Sequence, residues 1–422
     1  MDFVITAKKD SQIQINEEMP LISIFTFCKN SSKTINSSLR SVLELFRSYP
    51  NIEYVIQDGV STDGTLDIIS EYASLFGNRL KLVSEPDSCP GEGFLRAIKR
   101  CTGDIICSCL SDEQLMPYSA ALAVENFLKY PNAAALFGWI CTTDIDGTLI
   151  EVDHGPSSFD LDKYICGEIT PHFAASFFRR SCLEHIGLYS RDWRLDVGEF
   201  ELWARLGLHY PIIHIPVVIS KYARHSASLS SNVNNISALA TARINFLSQF
   251  FEETAAFRDN ENIRLNAFAG QHINAAWHYL AFETNSPTEA LKAILEALKY
   301  QPYPEHHLYP SFVTKLYDYG FELCNKGEFE RALDFLTLVD NTGIYATNIY
   351  FYRALALSKL GRYLEARSVL DKERAYNSNS EVIALMQFVD SKLNSSAFSK
   401  YETLLKDKAT MLVRIVSERD HI

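Results

Sequence analysis

The residues with the most chemistry to offer are acids standing where apolar runs stop. Ile105, Ile106, Cys107, Cys109 and Leu110 make a short apolar run suited to the interior of a parallel sheet, and Ser111, Asp112 and Glu113 follow at its carboxyl end. A second run, residues 53–57, leads into Asp58 and a turn carrying Gly59 and Gly64, and a third, residues 80–84, leads into Glu85 and Asp87. In open α/β sheets that edge is where ligands bind. Two adjacent carboxylates there repel one another and lose hydration, so Asp112 and Glu113 need a cation, protons or basic partners. A bound divalent metal is one reading. The other is an acidic start to the helix that Pro117 would open, because acids favour helix N-termini.

The elements that must position these acids alternate. A strand over residues 21–27 precedes a helix over 34–49, whose Ile35, Leu39, Val42, Leu43 and Phe46 recur at helical spacing. After Asp58, Asp63 or Thr65 can cap a helix that buries Leu66, Ile69, Ala73 and Phe76. A helix carrying Phe94, Leu95 and Ile98 leads to the strand that ends at Asp112, so the order is βαβαβαβ, which predicts a doubly wound parallel sheet with right-handed crossovers. A helix over 118–130 and a strand over 133–142 follow, and Asp146-Gly147 turns a hairpin back through 149–152, where strict alternation ends.

The Ser- and Asn-rich stretch 226–237 marks a linker, and helical periodicity runs from about residue 239 to the end. Gly327-Glu-Phe-Glu-Arg-Ala332 and Gly361-Arg-Tyr-Leu-Glu-Ala366 are offset by 361 − 327 = 34 residues, the tetratricopeptide period. The expected divisions are a leader at 1–19, an α/β domain at 20–232 and an all-α tetratricopeptide-like domain at 233–422. Such stacks present a concave face to peptides or proteins, so a protein partner or self-association is one use of the helical half; a purely structural cap is the other.

Composition excludes some classes. A net charge of −12, from 40 basic and 52 acidic residues, argues against holding polyphosphate backbones by bulk electrostatics, so nucleic acid is not an expected partner. The first 18 residues lack an apolar core segment and no run approaches the ~20 apolar residues of a membrane span, which leads to the expectation of a cytoplasmic chain. Nine cysteines without a Cys-x-x-Cys pair read as reduced core residues.

Asp58-Gly-Val-Ser-Thr-Asp-Gly-Thr65, Ser84-Glu-Pro-Asp87, Thr102-Gly-Asp-Ile-Ile106 and Ser111-Asp112-Glu113 resemble the nucleotide-sugar half of family 2 glycosyltransferases with the GT-A fold. The likeness continues through Pro171-His172-Phe173, Phe177-Phe178-Arg179-Arg180, Ile186-Gly187-Leu188, Glu199-Phe200-Glu201-Leu202-Trp203 and Arg224-His225-Ser226. It implies a mostly parallel GT-A sheet and an inverting transfer from a nucleotide sugar, with uridine the expected nucleoside, to a hydroxyl of an acceptor protein or glycan. Asp112 matches the metal-binding aspartate and His225 a position that completes the metal or diphosphate site, with Mn²⁺ or Mg²⁺ as the ion. Asp58 matches the acid that contacts base or ribose, with Thr26, Glu85, Asp87 and Ser111 lining the same pocket. Glu199 matches the general base, and His172, Glu201 and Trp203 fall on the acceptor side; Trp193 can stack on a sugar or sit in the core.

The chain departs from the family pattern at Leu110, where an Asp or Asn is usual, at Glu113 and Glu199, where Asp is usual, and over 89–96, which puts metal binding and donor choice in question. The alternative reading is therefore a degenerate nucleotide-binding scaffold that works through its helical repeats. A processive polysaccharide synthase is disfavoured by the lack of membrane runs and of a Gln-x-x-Arg-Trp segment.

Overall fold

The computed structural model describes residues 19–187, 197–224, 236–281, 286–301, 306–342, 348–376 and 379–393. The chain divides into two compact units, residues 1–164 with 169–231, and residues 165–168 with 232–422.

The first unit opens as the periodicity dictates: β1 (Ile22–Cys28), α1 (Ile35–Ser48), β2 (Ile52–Asp58), α2 (Thr65–Phe76), β3 (Leu80–Ser84), α3 (Pro90–Arg100) and β4 (Ile105–Ser108). Strand β1 lies between β2 and β4, all parallel, with Cys28 level with Asp58 and Phe25 level with Ser108. Their carboxyl ends therefore share one edge. Next come β5 (Glu113–Leu115), α4 (Ser119–Lys129), β6 (Ala135–Thr143), β7 (Leu149–Asp153), α5 (Leu161–Ile165), β8 (Ser176–Arg179), α6 (Arg180–His185), α7 (Val197–His209) and β9 (Ile212–Ala223).

The sheet order is β3-β2-β1-β4-β8-β6-β9-β5, with β7 paired to β6. Four of the eight ladders are antiparallel, so the sheet is mixed rather than mostly parallel. The cause lies after β4, where the chain no longer returns through a helix between every pair of strands; β8 enters antiparallel beside β4. The acidic helix start is also corrected: Glu113 opens β5, which pairs with β9, and α4 begins six residues later.

One side of this sheet is an aliphatic core in which α1 contributes Ile35, Leu39, Val42 and Leu45 and α4 Ala120, Ala123 and Phe127. A second run of packing is aromatic: Phe25, Phe94, Phe173, Phe178 and Trp203 follow one another with ring centroids 5.0 to 5.9 Å apart. Among the described residues no helix is long and apolar enough to cross a membrane.

The second unit is helical: α8 (Ile236–Glu253), α9 (Ala255–Arg258), α10 (Glu261–Ala281), α11 (Pro287–Tyr300), α12 (Tyr309–Lys326), α13 (Phe329–Asn341), α14 (Ile349–Lys359), α15 (Tyr363–Tyr376) and α16 (Ser380–Leu393). The 34-residue offset has a structural counterpart, because α13 and α15 begin at Phe329 and Tyr363, each after a glycine, Gly327 and Gly361, with φ of +80° and +77°. Left-handed backbone of that kind ends a helix and is adopted cheaply only by glycine. Ala332 and Ala366 are fully buried, as are Leu336 and Leu370. A helix-turn-helix repeat is thus present over α12–α15.

Candidate active site

The edge at β2 and β3 is built around Asp58, which is fully buried where β2 ends. Its carboxylate accepts the Ser61 amide at 3.0 Å, the Ser61 hydroxyl at 2.5 Å and the Ser84 hydroxyl at 2.6 Å. The turn that follows is under strain. Val60 has φ of +61°, a left-handed conformation unfavourable to a β-branched residue, and such outliers concentrate at functional loops. Asp87 lies 3.6 Å from the Lys29 ammonium. A Cβ on Gly59 would stand 2.7 Å from Asp87 Oδ2 and one on Gly93 3.1 Å from it, so two glycines give this carboxylate its room.

Two expected pocket residues are otherwise engaged. Thr26 is fully buried inside β1, and its hydroxyl bonds the Tyr54 hydroxyl at 2.8 Å and the Cys109 carbonyl; it ties three strands together and lines no loop. Glu85 is held by Arg100 at 2.8 Å and Arg96 at 3.3 Å, both from α3. Arg100 also reaches the Gln57 side-chain oxygen at 2.8 Å. These arginines were missed in the sequence, although their spacing of four places them on one helix face opposite the acids.

At the β4 edge, Ser111 and Asp112 are half-buried in the turn leading to β5. The Asp112 carbonyl accepts the Ala223 amide at 2.9 Å, which ties the turn to β9. Glu113 is 4% exposed and accepts the Leu110 amide at 2.7 Å. Burial, and then the charges of Asp112 and Glu199, push its carboxyl up to about 8, partly offset by the Leu110 hydrogen bond. Buried and already holding the Leu110 amide, Glu113 serves the turn itself, and the charges of Asp112 in the β4–β5 turn and Glu199 in α7 both raise its carboxyl. Asp58 stands on the same edge, two strands from β4, about 10 Å by ordinary strand spacing.

Glu199 is exposed in the first turn of α7. Its helix is anchored by Phe200, which stacks on Tyr164 at 5.1 Å, and by Trp203, which meets Phe178 at 5.0 Å and Phe137 at 6.2 Å. Trp203 is 1% exposed, so its place is the aromatic core and it offers no face to an acceptor. Glu201 pairs with Arg205 at 2.7 Å in a mostly buried i,i+4 bridge, which fixes α7 rather than reaching outward. His172 stands 3.3 Å from Asp153 and holds that carboxyl down to about 2. His225 and Trp193 lie outside the described residues. Among the described residues no three His, Cys, Asp or Glu side chains are grouped so as to hold a metal by themselves.

Residues 23–187 match the family described as Glycosyl transferase family 2, and the chain therefore carries a glycosyltransferase domain of that family. A chondroitin synthase of Escherichia coli is 24% identical over 225 residues, 51% of this chain and 30% of that protein. A hyaluronan synthase of Pasteurella multocida is 28% identical over 167 residues, 39% of this chain and 16% of that protein. The chain thus aligns with less than a third of the length of these relatives. A crystal structure of S. aureus TarS 1-349 in complex with UDP-GlcNAc superposes with a TM-score of 0.48 at 15% identity, covering 81% of this chain and 92% of that one.

Proposed function

We propose that the first unit transfers a sugar from a nucleotide-sugar donor, with a uridine diphosphate sugar as the expected donor, to an acceptor hydroxyl on a protein or glycan, with inversion at the anomeric carbon. What supports this reading is the match of residues 23–187 to Glycosyl transferase family 2, together with Asp58 and the turn carrying Asp112 at the carboxyl ends of the parallel strands β2 and β4. Asp58 and Asp87 are the acids for base and ribose hydroxyls, and Ser111 supplies a hydroxyl beside Asp112. Glu199, exposed in the first turn of α7, takes the proton from the attacking acceptor hydroxyl. Glu113, buried, keeps the Leu110–Glu113 turn closed by accepting the Leu110 amide.

The donor set fits Mn²⁺ or Mg²⁺ in one way. Asp112 would be the carboxylate that holds the ion, a hard cation that favours oxygen ligands. Such an ion neutralises charge developing on the leaving diphosphate. His225 remains a proposed further ligand. The helical unit, with its glycine-punctuated 34-residue repeat, is assigned as a tetratricopeptide-like module that holds an acceptor or a partner protein. These boundaries, 20–232 for the transferase and 233–422 for the helical module, are part of the proposal.

The test is hydrolysis of a panel of nucleotide sugars by purified protein with and without Mn²⁺. Asp112→Ala and Glu199→Gln should each lower the rate by about a hundredfold or more. Unchanged rates would remove those roles. The alternative, a degenerate scaffold, predicts uridine diphosphate binding without metal enhancement in calorimetry, and no turnover.

A further inference from the structure

Strand β6 is buried along most of its length, yet Trp139 within it is only partly covered. Its indole meets the His154 ring at a centroid distance of 4.4 Å, edge to face, and the His214 ring at 6.4 Å. Phe137, two residues earlier on the same strand, touches both His214 at 5.1 Å and Trp203 at 6.2 Å. Trp139 therefore shares the face of β6 that receives α7, the helix whose first turn carries Glu199.

The cluster extends beyond two rings. Gly155 follows His154 with φ of +56°, and a Cβ there would lie 3.3 Å from His172 Nε2. The turn carrying His154 thus rests on the His172 imidazole. Asp153 Oδ1 takes the Gly155 amide at 2.8 Å and lies 3.3 Å from His172 Nε2, close enough for an ion pair but outside hydrogen-bond geometry. His214 Nε2 is buried without a hydrogen-bond partner, and such groups cost stability unless something completes them, whereas His172 Nε2 faces the Asp153 carboxylate.

We propose that Trp139, His154 and His172, with Asp153, form a subsite for an uncharged sugar ring of a glycan acceptor. The partly exposed Trp139 indole gives an apolar plate for the C–H face of a pyranose, and the imidazoles and carboxylate answer its hydroxyls, the mix of one aromatic wall and few polar groups that ligand sites use. The charge around the patch selects against anionic glycans. Asp144, Asp146, Glu151 and Asp153 all lie on or beside the β6–β7 hairpin, and the cation paired with them is Arg224, 3.0 Å from Glu151.

This subsite deepens the transferase reading and rests on it, so the test reads binding without donor. Neutral hexasaccharides of glucose, mannose, galactose and N-acetylglucosamine, and a hyaluronan hexasaccharide as the charged arm, are titrated into the full chain by calorimetry. At least one neutral sugar should bind, Trp139→Ala should weaken it about tenfold, and Trp139→Phe should keep it within about threefold, as loss and retention of a stacking ring require. His172→Ala should also weaken binding. No binding by any neutral sugar, equal binding by Trp139→Ala, or tighter binding of the charged arm overturns the proposal. Loss of donor hydrolysis alone would bear on the transferase reading and leave this result standing.

Discussion

Gly59 separates two jobs that a single residue often combines. Adding a Cβ would bring it to 2.7 Å from Asp87 Oδ2, the far end of a side chain that can swing away, and not against fixed backbone. Gly59→Ala should therefore cost little stability, within about 1 kcal/mol, because the clash is relieved by one rotamer change. The displaced carboxylate is a proposed donor contact, so the nucleotide-sugar KM should rise about tenfold with kcat less affected, as expected when ground-state binding is lost. Thermal melting and initial rates on the same preparation check both halves. A large loss of Tm with unchanged KM would mean that Asp87 supports the fold and not the ligand. At this scale the sequence was partly readable. Asp58, Asp112 and Glu199 stand where the strand ends and the helix start put them, because short-range pattern decides which residue reaches an edge. Thr26, Glu85 and Trp203 could not be judged that way, since only the three-dimensional neighbours Tyr54, Arg100 and Phe178 show that they are taken up internally.

Helix α10 carries an argument that belongs to a whole element. Gly270 lies in its middle, where alanine would ordinarily be favoured by about 1 kcal/mol of helix propensity. Here the added Cβ would fall 1.9 Å from the Cys166 carbonyl oxygen, a backbone atom with no rotamer to change. The same helix face binds the 165–168 segment by two side chains: Gln271 donates to the Ile165 carbonyl at 2.9 Å and Asn274 to the Gly167 carbonyl at 3.1 Å. The steric term decides the sign. Gly270→Ala should destabilise by about 3 kcal/mol, the upper range for overpacking, measured as a lower urea midpoint for the helical signal. A stabilised variant would show that the segment moves aside freely. The sequence showed the helical half and its 34-residue step because both are periodic. It could not show that residues 165–168 belong with the second unit, since nothing local marks a contact across some hundred residues. For the same reason the departure from a parallel sheet was hidden: β8 and β9 are placed by pairing with distant strands and not by their own pattern.

For the molecule as a whole, acid sensitivity should arise in the helical unit before the carboxylates titrate. His306 is buried, its Nε2 lies 3.1 Å from the Gly167 carbonyl and its Nδ1 accepts the Leu308 amide at 3.2 Å. Those partners require one neutral tautomer, with the proton on Nε2. Burial lowers its pKa to about 4, with the Gly167 bond opposing and neighbouring His307 adding to the fall. His278 is likewise lowered to about 4, by burial and then by Arg243. In both cases the folded pKa lies below the unfolded value, so below about 6.5 the unfolded chain binds protons that the folded chain does not, and stability falls as pH drops. The loss is about 1.4 kcal/mol per pH unit for each histidine and levels off near the folded pKa. His306→Gln keeps a donor for Gly167 and cannot charge, so between pH 6.5 and 4.5 its stability should fall with a shallower slope than the wild type, the remaining slope coming from His278 and from His272, which burial also lowers. Urea midpoints of the helical transition at several pH values measure this, and the slope matters more than the midpoint because the substitution also changes packing. Equal slopes in the two proteins would mean that His306 is already protonated in the folded state, and that the Gly167 carbonyl is held through a charged imidazolium instead.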